Sequence, residues 1–245
     1  MTNIGVILAG GIGSRMGLPI PKQFLELKDG RTVIEHSIDT FDAHPAIDEV
    51  AVVIHPEWKT EFMHIAEKCT HWKKVKQIID GGSERYMSSL NAIMTYIDYH
   101  DDTNLFFHDA ARPYITACVI DRVVAALENH EAVGVGMPST DTVWEVRDDF
   151  SHLSNSTIPH FISRIPERKF LWLAQTPQAF RLPLIRDAYQ RALQDPQFTA
   201  TDDCGVVRRY MPEAKITVVE GDYGNIKIST PNDLGINSSS NEITR

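Results

Sequence analysis

The sequence is short of cysteine, short of cations relative to acids, and without a long apolar run, and each shortage removes a class of protein. Three cysteines, Cys69, Cys118 and Cys204, in 245 residues are too few and too far apart for a disulfide framework or a zinc site. Buried, reduced thiols and a cytoplasmic setting are therefore expected. The ten histidines, His108 among them, show no HExxH-like spacing and are assigned no role. Lys and Arg total 24 against 33 Asp and Glu, a formal net charge of -9, so nucleic acid is not an expected partner: surfaces that coat it need clustered excess cations. The apolar stretch Ile4 to Ile12 has no cation before it, is broken by glycines and runs straight into Arg15. It reads as a buried parallel strand, not a leader peptide. No other run nears the roughly 20 residues of a membrane span, and no membrane partner is expected.

What is present is an alternation. Ile4–Ala9, Glu49–Ile54, Val75–Ile79, Leu105–His108 and Val133–Met137 read as buried strands. Between them Ile34/Ile38/Phe41, Trp58/Phe62/Ile65/Cys69, Met87/Leu90/Ile93/Ile97 and Ile120/Val123/Val124/Leu127 recur at helical steps. This rhythm predicts an α/β fold with a Rossmann-like, mostly parallel sheet and helices on both faces. It breaks at Ser139, and residues 140–171, polar and irregular apart from a strand-like Thr142–Val146 and an extended piece near Phe161, read as a projecting β-arm. Beyond the arm come "AQTPQAF", a helix over Leu184–Leu193, a helix beginning near Thr201–Asp202, and strands at Ile216–Glu220 and Asn225–Ile228. One domain over residues 1–236 is expected, with a disordered tail at 237–245.

In open parallel sheets ligands bind beyond the carboxyl ends of the strands, and the suggestive residues follow strands. The first loop, "GGIGSRMGLPIPK", fits neither a dinucleotide fingerprint nor a P-loop. It is a glycine-rich turn whose amides can face phosphates, with Arg15 and Lys22 able to neutralise charge developing on a phosphoryl group; a tight turn carrying surface cations is the plainer reading. Asp109 in "HDAARP" either ligates Mg²⁺, which binds through one or two carboxylates plus substrate phosphates, or caps the next helix. In "GGSERYMSS", Gly81 and Gly82 permit close approach and Ser88 either bonds a base edge or is an ordinary helix-start residue. Lys227 in "GNIKIST" either faces phosphates or simply faces solvent.

Taken together and in order, "GSRMG", "PKQF", "GGSER", "HDAARP", "DTV", "QTPQAF", "TDD" and "NIK" resemble the cytidylyltransferases that join CTP to a polyol or sugar-acid phosphate. The resemblance runs from about Ile4 to Asp233 and touches two branches, acting on ribitol 5-phosphate and on 2-C-methyl-D-erythritol 4-phosphate. "LAGGIGSRMG" and "IPER" look closer to the ribitol branch, which makes CDP-ribitol the expected product. The resemblance implies a GT-A-like nucleotidyltransferase fold, Mg²⁺ as cofactor, and CTP and a polyol phosphate as substrates. It implies a nucleotide site of Leu8, Ala9, Gly10, Gly11, Gly13, Ser14, Gly82, Arg85, Ser88, Ala110 and Ala111, with Arg15, Lys22 and Lys227 as catalytic cations and Asp109 as metal ligand. It further implies an acceptor site of Thr142, Arg168, Thr176, Thr201 and Asp202, and a homodimer joined through the arm. After Asp233 the chain departs from the family, which closes with a helix where this one reads "GINSSSNEITR". A glycosyltransferase on the same fold would want an Asp-x-Asp metal site, where "HDAA" offers one carboxylate. A non-catalytic nucleotide-binding module would not need Arg15, Lys22, Asp109 and Lys227 together.

Overall fold

A computed structural model describes residues 1–11, 20–147, 161–230 and 233. The first strand, β1 (Thr2–Ala9), pairs in parallel with β2 (Glu49–Ile54) on one side and β4 (Thr103–Asp109) on the other, and β2 pairs in parallel with β3 (Val75–Asp80). Chain order thus runs outward from β1 through β2 and β3, then returns across β1 to β4. That reversal is a topological switch point, where loops at the strand ends diverge and leave a crevice.

The sheet continues with β8 (Trp172–Arg181), β5 (Ala132–Pro138) and β9 (Thr217–Glu220), giving the order β3-β2-β1-β4-β8-β5-β9. All pairings are parallel except those of β8, which runs antiparallel to both β4 and β5. Helices α1 (Val33–Ala43), α2 (Lys59–Lys68) and α4 (Ala117–Leu127) cover one face, while α3 (Arg85–Thr95), α5 (Leu182–Ala192) and α6 (Asp203–Tyr210) cover the other. Strand alternation divides the core between the faces: Ile4, Val6 and Leu8 of β1 pack toward α3 and α5, and Ile7 and Ala9 pack toward α1.

The predicted strands and helical stripes in the first half are found within a residue or two of their expected limits. The exceptions lie later. "AQTPQAF", given no element from the sequence, belongs to a ten-residue central strand, and Pro177, which has no N–H for a ladder, falls where the β5–β8 register shifts between Val133 and Val135. Asn225–Ile228 is not a strand: Ile226 N–H turns back to Gly224 O, and Ile228 N–H reaches across to Ala111 O. The arm's ladder pairs β6 (Glu145–Arg147) with β7 (Phe161–Arg164), so the predicted Thr142–Val146 strand begins three residues later and ends one residue later than expected. Its root is pinned by Ser139 N–H donating to Leu171 O beside the Pro138–Trp172 register pair. All three cysteines are free, but Cys69 alone is buried; Cys118 is exposed because it sits off the Val119/Ile120/Val123/Leu127 stripe of α4. The predicted tail at 237–245 lies outside the described residues. Among the described residues, no helix is long and apolar enough to cross a membrane.

Candidate active site

The loops at the switch point are fitted to one another closely. A Cβ on Gly10 would stand 2.6 Å from Ser88 Oγ, and one on Gly81 would stand 3.0 Å from Gly10 Cα. The glycines are required there because two backbones touch. Ser88 Oγ accepts from Gly82 N–H at 3.2 Å, tying the loop after β3 to the first turn of α3. Gln23, buried, donates from Nε2 to Ala9 O at 2.7 Å and to Gly11 O at 2.8 Å, fixing the loop after β1 from beneath. Lys22 Nζ donates to Ile228 O at 2.7 Å, so the early loop and the segment carrying Lys227 are joined.

These loops enclose a cavity of about 390 Å³, within the range of small-molecule sites. Its walls include every described residue assigned from sequence to the nucleotide, namely Leu8, Ala9, Gly10, Gly11, Gly82, Arg85, Ser88, Ala110 and Ala111, together with Lys22, Asp109 and Lys227. Gly13, Ser14 and Arg15 lie outside the described residues. A second cavity, of about 250 Å³, is lined by Thr176, Thr201 and Asp202 with Arg112, Gln175 and Gln178. Arg85, Asp109, Thr201 and Lys227 belong to both walls, so the cavities meet at Asp109. Thr142 and Arg168 are in neither wall; both are exposed on the arm, where Arg168 donates to Thr140 O at 3.0 Å.

Charge is concentrated at that junction. Asp109, at the end of β4, receives Lys227 Nζ at 2.7 Å and Arg85 Nε at 3.3 Å, with Arg112 Nε at 4.0 Å. Burial works against its ionisation, but Arg85, Lys227 and Arg112 outweigh burial and hold the carboxyl well below the usual carboxylate range. Arg85 is also gripped by the fully buried Asp203 at 2.8 Å, which in turn accepts from Tyr189 Oη at 2.7 Å. Among the described residues two carboxylates therefore face three cations, and Arg85 Nη2 and Arg112 Nε are buried with no hydrogen-bond partner. An anion entering here meets a surplus of positive charge and donors waiting for it.

The same inventory tests a metal. Among the described residues no group of three or more His, Cys, Asp or Glu side chains is arranged to hold an ion. One ionised carboxylate suits a hard divalent cation that arrives on phosphates, since such an ion takes one or two carboxylates and completes its shell with substrate oxygens. Asp109, on the wall of both cavities, fits a cation carried in by a triphosphate.

Sequence reasoning missed the supports. Arg112 Nη1 donates to Asn225 O at 2.7 Å, anchoring the Lys227 segment. Gln178 receives the Asp203 and Cys204 N–H groups, each at 3.0 Å, and donates to Asp202 at 2.8 Å, locking α6 against β8. Asp202 itself is the N-cap of α6, accepting from Gly205 N–H at 2.8 Å. His108, fully buried, contacts Thr176 and Arg112, and burial pushes its pKa down to about 4, so the ring is neutral near pH 7. The one signal available in the sequence was position: His108 and Arg112 flank a carboxylate at a strand end, and Asp203 adjoins a helix-capping Asp202.

Residues 4–239 match the family described as IspD, 2-C-methyl-D-erythritol 4-phosphate cytidylyltransferase. A 2-C-methyl-D-erythritol 4-phosphate cytidylyltransferase from Thermobifida fusca is 44% identical over 230 residues, covering 94% of this chain and 89% of that protein. The Haemophilus influenzae bifunctional ribulose 5-phosphate reductase/CDP-ribitol pyrophosphorylase Bcs1 is 38% identical over 234 residues, covering 96% of this chain and 47% of that protein. Among solved structures, the 4-diphosphocytidyl-2C-methyl-D-erythritol synthase of Anaerococcus prevotii superimposes with a TM-score of 0.79 at 28% identity, covering 95% of this chain and 92% of its own.

Proposed function

The chain belongs to the IspD family of cytidylyltransferases, and from that premise we propose that it transfers the cytidylyl group of CTP to 2-C-methyl-D-erythritol 4-phosphate. An acceptor phosphate oxygen attacks the α-phosphorus of CTP, the bond from that phosphorus to the bridging oxygen of the β-phosphate breaks, and pyrophosphate leaves with the bond electrons. No protein nucleophile is needed, so catalysis is positioning and charge stabilisation. Lys22 and Lys227 oppose the charge that grows on the transferring phosphoryl group, and Arg15 takes the departing pyrophosphate. Asp109 would hold Mg²⁺, whose charge neutralises phosphate oxygens. The observation that carries this reading is the meeting of two cavities at a cationic junction around Asp109.

The choice of acceptor rests on likeness along the whole chain. The short motifs favour the ribitol branch, but they surround chemistry common to both branches, whereas 44% identity with the Thermobifida fusca enzyme extends over 230 residues. Ribitol 5-phosphate is the second reading, supported by the 38% match to the Haemophilus influenzae protein. Pyrophosphate release by purified protein with CTP, Mg²⁺ and each polyol phosphate in parallel decides between them, and faster turnover of ribitol 5-phosphate would reverse the order given. In the same assay UTP and ATP are expected to be poor substitutes by two orders of magnitude or more, roughly the penalty for leaving a site's buried polar groups unpaired. ATP turnover near that with CTP would remove the role given to Gly82 and Ser88.

The arm belongs to this proposal through its apolar surface. Trp144, Phe161, Ile162 and Phe170 are 58%, 51%, 49% and 72% exposed, more than an isolated hairpin leaves in water. A second copy covering them as a two-fold dimer removes that exposure and carries Thr142 and Arg168 toward the other subunit's acceptor cavity. Lys22→Ala and Arg168→Ala variants, each inactive alone, are then expected to recover up to about a quarter of wild-type activity when mixed, because random exchange makes half the dimers mixed, each with one intact site. No recovery after verified subunit exchange, or a monomer by sedimentation, would defeat the shared site.

A further inference from the structure

Asp203 is fully buried and lines neither cavity, yet both of its carboxylate oxygens are engaged. Oδ2 accepts from Arg85 Nη1 at 2.8 Å and Oδ1 from Tyr189 Oη at 2.7 Å, while the Asp203 N–H donates to Gln178 Oε1 at 3.0 Å. Tyr189 is itself buried, and the Phe198 ring packs edge-on against both Tyr189 and Tyr86, the residue after Arg85, at centroid distances of 6.4 and 4.7 Å. Helices α3, α5 and α6 together fix where the Asp203 charge stands. A buried carboxylate is a poor means of joining helices, since apolar residues of similar volume often serve as well or better. What the charge does for Arg85 is the better account of it.

Arg85 and Lys227 are the two described cations that line both cavities. Lys227 is held by Asp109. Arg85 is divided: Nη1 goes to Asp203, Nε reaches Asp109 Oδ1 at a longer 3.3 Å, and Nη2 has no hydrogen-bond partner among the described residues. A guanidinium beside a single carboxylate closes on it as a two-bond fork. Asp203 opposes that closure by drawing Nη1 the other way. Resting on the cytidylyltransferase reading, we propose that Asp203 is a positioning residue that keeps Arg85 from pairing fully with Asp109, so that Arg85 remains a cation for the substrate phosphates. Tyr189 holds the Asp203 carboxylate in place for that purpose. Asp203 thereby acts on phosphates it does not touch.

Asp203→Asn keeps an oxygen for Tyr189 and puts an amide NH₂ opposite Arg85 Nη1, donor against donor. Turnover is expected to fall about 10- to 100-fold, the scale of one charge-assisted hydrogen bond. KM for CTP and for 2-C-methyl-D-erythritol 4-phosphate should each stay within about threefold, because the charge acts chiefly in the transition state. A merely loosened α6 would instead raise the acceptor KM, since Thr201 and Asp202, on that cavity's wall, immediately precede Asp203. Tyr189→Phe should lower turnover about three- to tenfold by the same route, and it carries the test if Asp203→Asn does not fold. In an Arg85→Gln background neither replacement should lower turnover further by more than about twofold. Costs that multiply in that background, or an acceptor KM that rises as turnover falls, would overturn the proposal. Nitrogen-15 spectra are expected to resolve Arg85 Nη1 from Nη2 in the wild type and to merge them in Asp203→Asn or Tyr189→Phe; merged signals in the wild type would also overturn it. Turnover of neither methylerythritol 4-phosphate nor ribitol 5-phosphate by the wild type overturns the functional reading instead, and the spectra then decide whether Asp203 positions Arg85.

Discussion

Replacing Lys22 with alanine is expected to lower turnover by about two to three orders of magnitude, the scale on which one preorganised donor to developing charge is worth its place. The preorganisation is visible. Lys22 Nζ is held at 2.7 Å by Ile228 O, next to Lys227, which is held by Asp109 at 2.7 Å. Neither ammonium has to be gathered from solvent when the phosphoryl group moves. CTP affinity should fall much less than turnover, because a catalytic cation acts on charge that is greater in the transition state than in the bound triphosphate. Lys22→Gln is the control: its amide offers a neutral donor toward Ile228 O without the charge. Recovery of near wild-type turnover in Lys22→Gln would mean that the lysine only ties the loop, and the catalytic role would be lost.

Asp109→Asn is expected to act in two directions. The carboxylate is the shared partner of Lys227, Arg85 and Arg112, and its side chain is 10% exposed. Removing one member of a buried ion cluster leaves the others uncompensated, typically at about 3–5 kcal/mol, which corresponds to a fall in Tm of roughly 10 °C for a chain of this size. Turnover at a temperature where the variant is folded should fall by about two to three orders of magnitude, as for other losses of preorganised charge. CTP binding without divalent cation should hold or strengthen, since the junction gains a net positive charge. A destabilised variant with near-normal turnover below its Tm would make Asp109 a structural anchor only. The pH dependence has a definite sign. A carboxyl whose pKa is depressed in the fold contributes stability above its unfolded value, about 3.9, and loses it as pH falls through the depressed value. Asp109 therefore supplies no acid limb to the rate between pH 5 and 8.

The parts of the fold that were legible share a cause. Strands β1, β2 and β4 are buried on both faces, so they appear as unbroken apolar runs, and each intervening helix buries one stripe. Strand β8 is equally central but carries Gln175, Thr176 and Gln178 into buried positions. These are stable there because each is hydrogen-bonded within the site. Hydropathy cannot distinguish a polar strand satisfied by distant partners from a polar loop. Asn225–Ile228 failed in the opposite sense: Ile226 and Ile228 alternate like a strand, yet the segment is placed by Arg112 and Ala111. The loops were legible because glycines at Gly10, Gly81 and Gly82 and cations at Lys22 and Lys227 announce close approach to an anion. Their supports were not, because Arg85 meets Asp203 across 118 residues of chain and Gln23 is an unremarkable residue until Ala9 and Gly11 are folded over it.

The antiparallel strand has a mechanical consequence. The arm leaves the sheet at the end of β5 and re-enters through β8, two strands hydrogen-bonded side by side, with Ser139 and Leu171 closing the gap at its base. From that clasp β8 runs on to carry Thr176 and Gln178 on the cavity wall. The root of the arm and the cavity wall are thus parts of one strand, Gln178 standing six residues along the backbone from Trp172. A shorter or longer excursion grafted onto the same clasp would leave the Pro138–Trp172 register and the cavity-lining part of β8 unchanged.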